Sequence, residues 1–249
     1  MEHFKDHLKK KIVSELRLIF NGADFKLNLG IKNKSDNSIV TIIDTIISSL
    51  VKEEIRKIDE FKDFVFYSEE DHDELEFPCI VLDPVDGTRE LSQGLPECAV
   101  SLAIMYTSRI NDERNWGWIF NPFSGFEIDS KQDFCQAQNA NKNGLMGMVS
   151  RTEWDKGLYI KKTDNILIHP KGSIALKLGL LSAGAIDFVI SKRPKNIWDI
   201  AAGSIICSKR NIKTWQDKSM VLNLDYKKFE APLVWATEEV FTLLKKDQI

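Results

Sequence analysis

Cys79-Ile80-Val81-Leu82-Asp83-Pro84-Val85-Asp86-Gly87-Thr88-Arg89-Glu90-Leu91 is the stretch around which the chain is organised. It opens with an apolar run, Ile80 to Leu82, of the kind that forms a buried strand. Two aspartates then flank Pro84 and Val85. Pro84 has no N–H and a fixed φ, which predicts that the strand stops there. Gly87 accepts backbone conformations, and a closeness of approach, that other residues resist. Asp83 and Asp86 are thereby delivered together at one strand end, on a stiff turn. Two carboxylates that close repel unless one is protonated or a cation lies between them; the cation reading fits best. Gly87 and Thr88 add free N–H groups where the chain turns into its next element. A helix start there binds an anion through its unpaired donors and its dipole. A metal and amide donors converging on one point suit a phosphoryl group, and the Thr88 hydroxyl can orient an attacking water. Taken alone, the stretch reads as well as an Asp-Pro turn followed by ordinary Asp-Gly turn chemistry.

The 249 residues are enough for one large domain or two small ones packed together. With 34 basic and 37 acidic residues well mixed, the net charge of −3 gives no reason to expect a nucleic-acid polymer or an anionic membrane as partner. No uncharged apolar run reaches 18 residues and the N-terminus has no signal-peptide core. Cys79, Cys98, Cys135 and Cys207 form no C-x-x-C pair, and three of them fall in apolar segments, so a reducing cytoplasm is the expected location. The four histidines form no transition-metal set; His3 and His7 read as exposed helix positions, and Lys9-Lys10-Lys11 as a solvated helix face.

Along the chain, Phe4, Leu8, Ile12 and Leu16 predict a helix over residues 3 to about 20, closed by Asn21-Gly22. After a polar loop from Lys32 to Ser38, Thr41-Ile42-Ile43-Asp44 opens a second capped helix running to about Lys57, with Asp44 in its first turn. Phe64 to Tyr67 is a strand followed at once by Ser68-Glu69-Glu70-Asp71. The acidic triplet Glu69-Glu70-Asp71 reads first as a solvated turn, but it begins 14 residues before Asp83, and two adjacent strands ending at one edge would make Glu69 or Glu70 a third ligand. Ala99 to Tyr106 and Trp116 to Phe120 read as a β meander with a turn at Asn121, and Gln136 to Gly144 as a surface loop. Met146 to Ser150, Asn165 to Ile168 and Ala185 to Ile190 read as strands, and Ser173 to Ala183 as a buried helix closed by Gly184. Trp198-Asp199-Ile200-Ala201-Ala202-Gly203 starts a helix of small residues; Leu233 to Ala236 and Glu238 to Lys246 are a final strand and helix. No repeat or linker divides the chain, which predicts one unit of two fused α/β halves, about 1–145 and 146–249.

An acid in an early helix, Glu-Glu after a strand, Asp-x-x-Asp-Gly-Thr and a late Trp-Asp, in that order, resemble the inositol monophosphatase superfamily. The matching text is Val40 to Asp44, Ser68-Glu69-Glu70, Leu82 to Thr88 and Trp198 to Gly203, within residues 3 to 203. The resemblance implies an α/β (α+β) fold in α-β-α-β-α layers and a magnesium-dependent, lithium-sensitive phosphomonoesterase that uses two or three Mg2+ ions. It implies Glu69, Asp83 and the Val85 carbonyl as ligands of one ion. Asp83, Asp86 and Asp199 hold a second, and Glu69 shares a weaker third. Gly87 and Thr88 hold the phosphate through N–H groups, and Thr88, paired with Asp44, and Glu69 position and deprotonate a metal-activated water. Glu70 takes a supporting role. Oxygen donors are what magnesium prefers, and two ions about 3.5–4 Å apart can stabilise both attacking and leaving oxygens of an in-line displacement.

The implied substrate is a small phosphate monoester, inositol monophosphate-like, with a 3'(2'),5'-bisphosphate nucleotide as the alternative. Arg193 and Lys195 precede Asp199 closely enough to meet an anionic substrate and read as well as solvated loop charges; Lys171-Gly172-Ser173 is a further candidate for the border of the leaving group. A homodimer is what the family suggests. The chain departs from the family after Gly203, where Ser208-Lys209-Arg210-Asn211 replaces Glu-Ala-Gly-Gly; this bears on the substrate wall more than on the acids. A haloacid-dehalogenase-type phosphatase is a weaker reading, because its two aspartates lie two residues apart and these lie three. A non-catalytic metal-binding protein on the same fold is the third.

Overall fold

The computed structural model describes residues 1–20, 30, 32–33, 39–71, 74–132, 144–159 and 165–246. Asn21-Gly22, residues 34–38, His72, Cys135 and most of the Gln136–Gly144 loop lie outside them. Helix α1 (Glu2–Phe20) buries Leu8, Ile12 and Leu16, the four-residue spacing that sets one face inward. A two-stranded ribbon of β1 (Lys32–Asn33) and β2 (Ile39–Val40) leads to α2 (Ile42–Arg56), which buries Ile43, Ile47, Val51 and Ile55. The polar face of α1 is less solvated than its lysine run suggests. Lys9 pairs with Glu127 at 2.6 Å and Lys11 with Glu54 at 2.6 Å, because neighbouring elements present carboxylates to it.

Strands β3 (Val65–Ser68) and β4 (Cys79–Asp86) are followed by the short helix α3 (Thr88–Ser92), then β5 (Ala99–Met105), β6 (Trp116–Phe120) and β7 (Glu127–Asp129). They form a sheet in that order, β3 parallel to β4 and the rest antiparallel. The strand does not stop at Pro84. β4 continues to Asp86, and its register with β5 shifts between Asp83 and Asp86, so the ladder makes no demand on the missing N–H.

The second half runs β8 (Leu145–Ser150), α4 (Arg151–Asp155), β9 (Ile166–Lys171), α5 (Ile174–Ser182), β10 (Phe188–Ser191), β11 (Lys195–Asn196), α6 (Ile197–Ser208), β12 (Lys213–Gln216), β13 (Ser219–Met220), β14 (Lys228–Phe229), β15 (Leu233–Ala236) and α7 (Glu238–Lys246). Its six-stranded sheet has the order β13-β12-β15-β10-β8-β9, with β10, β8 and β9 mutually parallel. The chain after α6, where the family text is altered, still supplies β12 to this sheet against β15.

The side-chain alternation of the strands sorts the core into layers. Ile80 and Leu82 of β4 and Trp116, Trp118 and Phe120 of β6 join the core under α1 and α2. Cys79, Val81 and Ile119 face the other way, into a core shared with α5, α6 and, from the second sheet, Val189 and Trp235. Phe188, Ile190 and Ala236 meet Val240, Phe241 and Leu244 of α7 on the outermost face. The result is an α-β-α-β-α stack. Its middle seam depends on close backbone approach: a Cβ on Gly117 of β6 would lie 2.5 Å from the Ala202 carbonyl of α6. Among the described residues no helix is long and apolar enough to cross a membrane.

Candidate active site

In a regular strand, residues three apart point to opposite faces. Asp83 pairs with Ser101 and Asp86 with Ala99, so three steps along β4 are matched by two along β5. The extra residue turns both aspartates toward the same side. Asp199 joins them from the first turn of α6, where it accepts the Asn196 N–H at 2.9 Å across the helix start. Oxygens of Asp83, Asp86 and Asp199 all lie within 4.8 Å of one another. Ser101 Oγ donates to the Trp198 carbonyl at 3.1 Å, tying β5 to the turn that carries Asp199. Glu69, next after β3, donates its N–H to the Leu82 carbonyl at 3.1 Å, which extends the parallel pairing and sets it beside Asp83.

The electrostatics of this cluster are unfavourable by themselves. Burial pushes the Asp83 carboxyl well above the usual range, and the charges of Glu69, Asp86, Asp199 and Asp44 push it the same way. Asp199, hemmed in by protein although it opens onto the cleft, is raised to about 6 by burial and Asp86, against the pull of Lys195 and the Asn196 N–H. Asp86 accepts from Ser173 Oγ at 2.6 Å and from the Ala175 N–H at the start of α5. Asp83 accepts from the Val85 N–H at 3.0 Å.

Gly87 follows with φ +98°, and a Cβ there would sit 2.5 Å from the Glu97 carbonyl, so both conformation and space require glycine. It caps α3, whose first residue is Thr88. The Thr88 hydroxyl has two acceptors, the Val85 carbonyl at 2.7 Å and Asp44 Oδ1 at 3.2 Å. Asp44 Oδ2 accepts both the N–H and the hydroxyl of Thr41, at 2.8 and 2.6 Å. Burial raises the Asp44 carboxyl to about 6, opposed by the Thr41 and Thr88 hydrogen bonds and assisted by Glu70.

These groups line one side of an 810 Å³ cleft. The facing wall is made where the parallel strands β8, β9 and β10 end, at Ser150, Lys171 and Ser191, the edge at which ligands meet parallel sheets. Arg89, Arg193 and Lys195 also line it. The structure therefore gathers Glu69, Asp83, Val85, Asp86, Gly87, Thr88, Asp199, Arg193 and Lys195 around one cleft, with Asp44 behind Thr88. Two residues that sequence reasoning passed over also serve it. Lys177, inside α5, is lowered to about 8 by burial and donates to the carbonyls of Lys171, Gly172 and Ser173; a lysine inside an apolar helix was its only sequence signal. Glu97 accepts the Gly172 N–H at 2.8 Å and pairs with Arg151 at 2.6 Å, with no signal in its neighbours.

The family model described as the inositol monophosphatase family matches residues 2–210. A fructose-1,6-bisphosphatase/inositol-1-monophosphatase of Thermotoga maritima is 30% identical over 186 residues, 70% of each chain. The Nus factor SuhB of Pasteurella multocida is 28% identical over 216 residues, 76% of each chain. Among solved structures, an IMPase/NADP phosphatase complexed with Mg2+ and phosphate shares the fold with a TM-score of 0.72 at 15% identity, covering 95% of this chain and 90% of that one. The ordered acids, the layered fold and a family match spanning all of them lead to one conclusion: this chain belongs to the inositol monophosphatase family.

Proposed function

We propose that the chain is a magnesium-dependent phosphomonoesterase that hydrolyses a small phosphate monoester by direct attack of water. The observation that carries the reading is the convergence of Asp83, Asp86 and Asp199 within 4.8 Å on the cleft that Gly87 and Thr88 also line. The donor set suits the ion. It is made of oxygens alone, without imidazole or thiolate, as magnesium prefers. Burial and the neighbouring carboxylates hold the Asp83 and Asp199 carboxyls above their usual range, which a bound cation would relieve. Asp83, Glu69 and the Val85 carbonyl would hold one ion, and Asp83, Asp86 and Asp199 would hold a second. Bound there, magnesium supplies Lewis acidity and neutralises charge developing on the phosphoryl oxygens.

The chain's own groups do the positioning. The Gly87 and Thr88 N–H groups hold the phosphate at the start of α3. The Thr88 hydroxyl has one proton and gives it to Asp44 or to the Val85 carbonyl. Its lone pairs then accept from a water, turning that water's own lone pair toward phosphorus. Glu69, beside Asp83, takes the water's proton as the P–O bond to the alcohol breaks, and the departing alkoxide takes a proton from solvent water. No residue needs to form a covalent bond to phosphate.

An inositol monophosphate-like substrate is one leaving-group reading, in keeping with the names of the relatives. A second phosphate on the substrate, as in a bisphosphate sugar or nucleotide, is favoured by Arg89, Lys171, Arg193 and Lys195 around the cleft. Phosphate release from inositol 1-phosphate, fructose 1,6-bisphosphate and 3'-phosphoadenosine 5'-phosphate, with magnesium titrated and lithium added, tests both. Magnesium-dependent turnover that Asp83→Asn abolishes supports the reading. Turnover of all three by Asp83→Asn at the wild-type rate refutes it.

A further inference from the structure

We infer that Glu97 is a positioning residue that fixes the Asp86 carboxylate through Gly172 and Ser173. The inference rests on the magnesium reading above. Asp86 stands in a cluster of like charges, and its carboxylate stays in place because Ser173 Oγ and the Ala175 N–H both donate to it. Those donors belong to the start of α5, in the other half of the chain. Ser173 is itself held in an unfavourable conformation: its φ is +55°, a region that non-glycine residues occupy only when surrounding contacts impose it. Its hydroxyl also accepts the Leu176 N–H at 2.9 Å, which fixes the oxygen between helix and carboxylate.

Two groups impose that conformation. From beneath, Lys177 Nζ takes the carbonyls of residues 171, 172 and 173. From the β4–β5 side, Glu97 Oε2 accepts the Gly172 N–H at 2.8 Å. The Glu97 carboxylate is oriented in turn by Arg151, which donates to both of its oxygens from the start of α4. The Glu97 carbonyl and Ser173 meanwhile crowd the same face of Gly87: a Cβ there would lie 2.5 Å from the carbonyl and 3.2 Å from Ser173 Cβ. One residue thus touches the phosphate-binding turn with its backbone and sets the Asp86 donors with its side chain. It does not line the cleft, so it acts through its neighbours.

The test is magnesium affinity, read by calorimetric titration and by magnesium-induced thermal shift, beside turnover and the melting temperature in chelator. Glu97→Ala is expected to weaken magnesium binding about tenfold and to lower kcat. Glu97→Gln, which keeps an acceptor for the Gly172 N–H, is expected to stay within about threefold of wild type. Ser173→Ala is expected to weaken binding comparably, and Glu97→Ala/Ser173→Ala to be no weaker than Ser173→Ala alone, because the two act in series. Arg151→Ala probes the same chain from its half-buried outer end if Glu97→Ala fails to fold, with about threefold weaker binding expected. Glu97→Ala that melts lower but binds magnesium as wild type does overturns the inference, as does full additivity with Ser173→Ala. Wild-type protein that binds no magnesium overturns the proposed function instead.

Discussion

Replacing Asp199 with asparagine should make the metal-free protein more stable and the magnesium-loaded protein less so. The Asp199 carboxyl is carried from its ordinary 3.8 to about 6 by burial and by Asp86. Because the native value lies above that of the unfolded chain, the stabilising effect of protonation is complete below about pH 3.8 and is lost as pH rises through about 6. At 1.36 kcal/mol per pH unit, the ionised carboxylate costs the native state about 3 kcal/mol at pH 7.5. That figure is an upper limit, since Asp199 opens onto the cleft and water screens it. Asparagine keeps the shape and the acceptor for the Asn196 N–H but carries no charge. In chelator at pH 7.5, Asp199→Asn should therefore melt up to about 6–12 °C higher, at about 2–4 °C per kcal/mol for a chain of this size. At pH 4.5, where wild-type Asp199 is mostly protonated when folded, the gain should fall to about 1 kcal/mol. Magnesium at millimolar concentration should reverse the order, because it stabilises only the form that binds it. Thermal unfolding in chelator and in magnesium, at both pH values, reads all of this. A variant that melts no higher than wild type in chelator at pH 7.5, or gains equally at both pH values, refutes the reasoning.

Thr88→Ala should lower kcat by about 10²-fold or more, the scale of a positioned proton-transfer partner, while magnesium affinity changes little; steady-state kinetics and calorimetry separate the two. Gly87→Ala should lose both stability and activity, because its φ of +98° and the Glu97 carbonyl 2.5 Å from a new Cβ leave no relaxed arrangement; an unchanged melting temperature would count against the tight turn. Lys5→Ala should cost about 3–5 kcal/mol by leaving buried Asp129 without the ammonium 2.7 Å away, measured by denaturant unfolding without effect on magnesium affinity.

Much of the fold was legible because its main elements carry local signals. The stripe Ile43, Ile47, Val51 and the Thr41–Asp44 start mark α2, and the run Cys79 to Leu82 marks β4. The two-residue strands β11, β13 and β14 were not legible, since two residues show no period. Nor was the passage of β4 through Pro84. The bulge that permits it is set by the register with β5, and register is a property of two strands together. The cluster of acids was visible as a pattern, but its geometry was not. Asp83 and Asp86 point the same way only because of that bulge. Glu97 was invisible for a related reason: its partners lie 54 and 75 positions away, and nothing in Leu95-Pro96-Glu97 announces them.

The cleft draws its parts from both sheets, and this explains why the middle layer is packed so closely. Asp83 arrives on β4, Asp199 on α6, and the donors that hold Asp86 on α5. None of these elements alone places two acids of the cluster together with the contacts that restrain them, apart from the bulged end of β4. Their spacing is fixed by how α5 and α6 seat between the sheets, and that seating relies on contacts with no slack. Gly117 lets the Ala202 carbonyl approach β6, and Gly203 makes room for Leu178 between the two helices. A carboxylate cluster that repels itself would spread if this layer could yield. The same packing that buries Ile200, Ala201 and Ile205 therefore keeps the acids close enough for one cation to be shared among them. Stability at the seam and charge concentration at the cleft are two consequences of one interface.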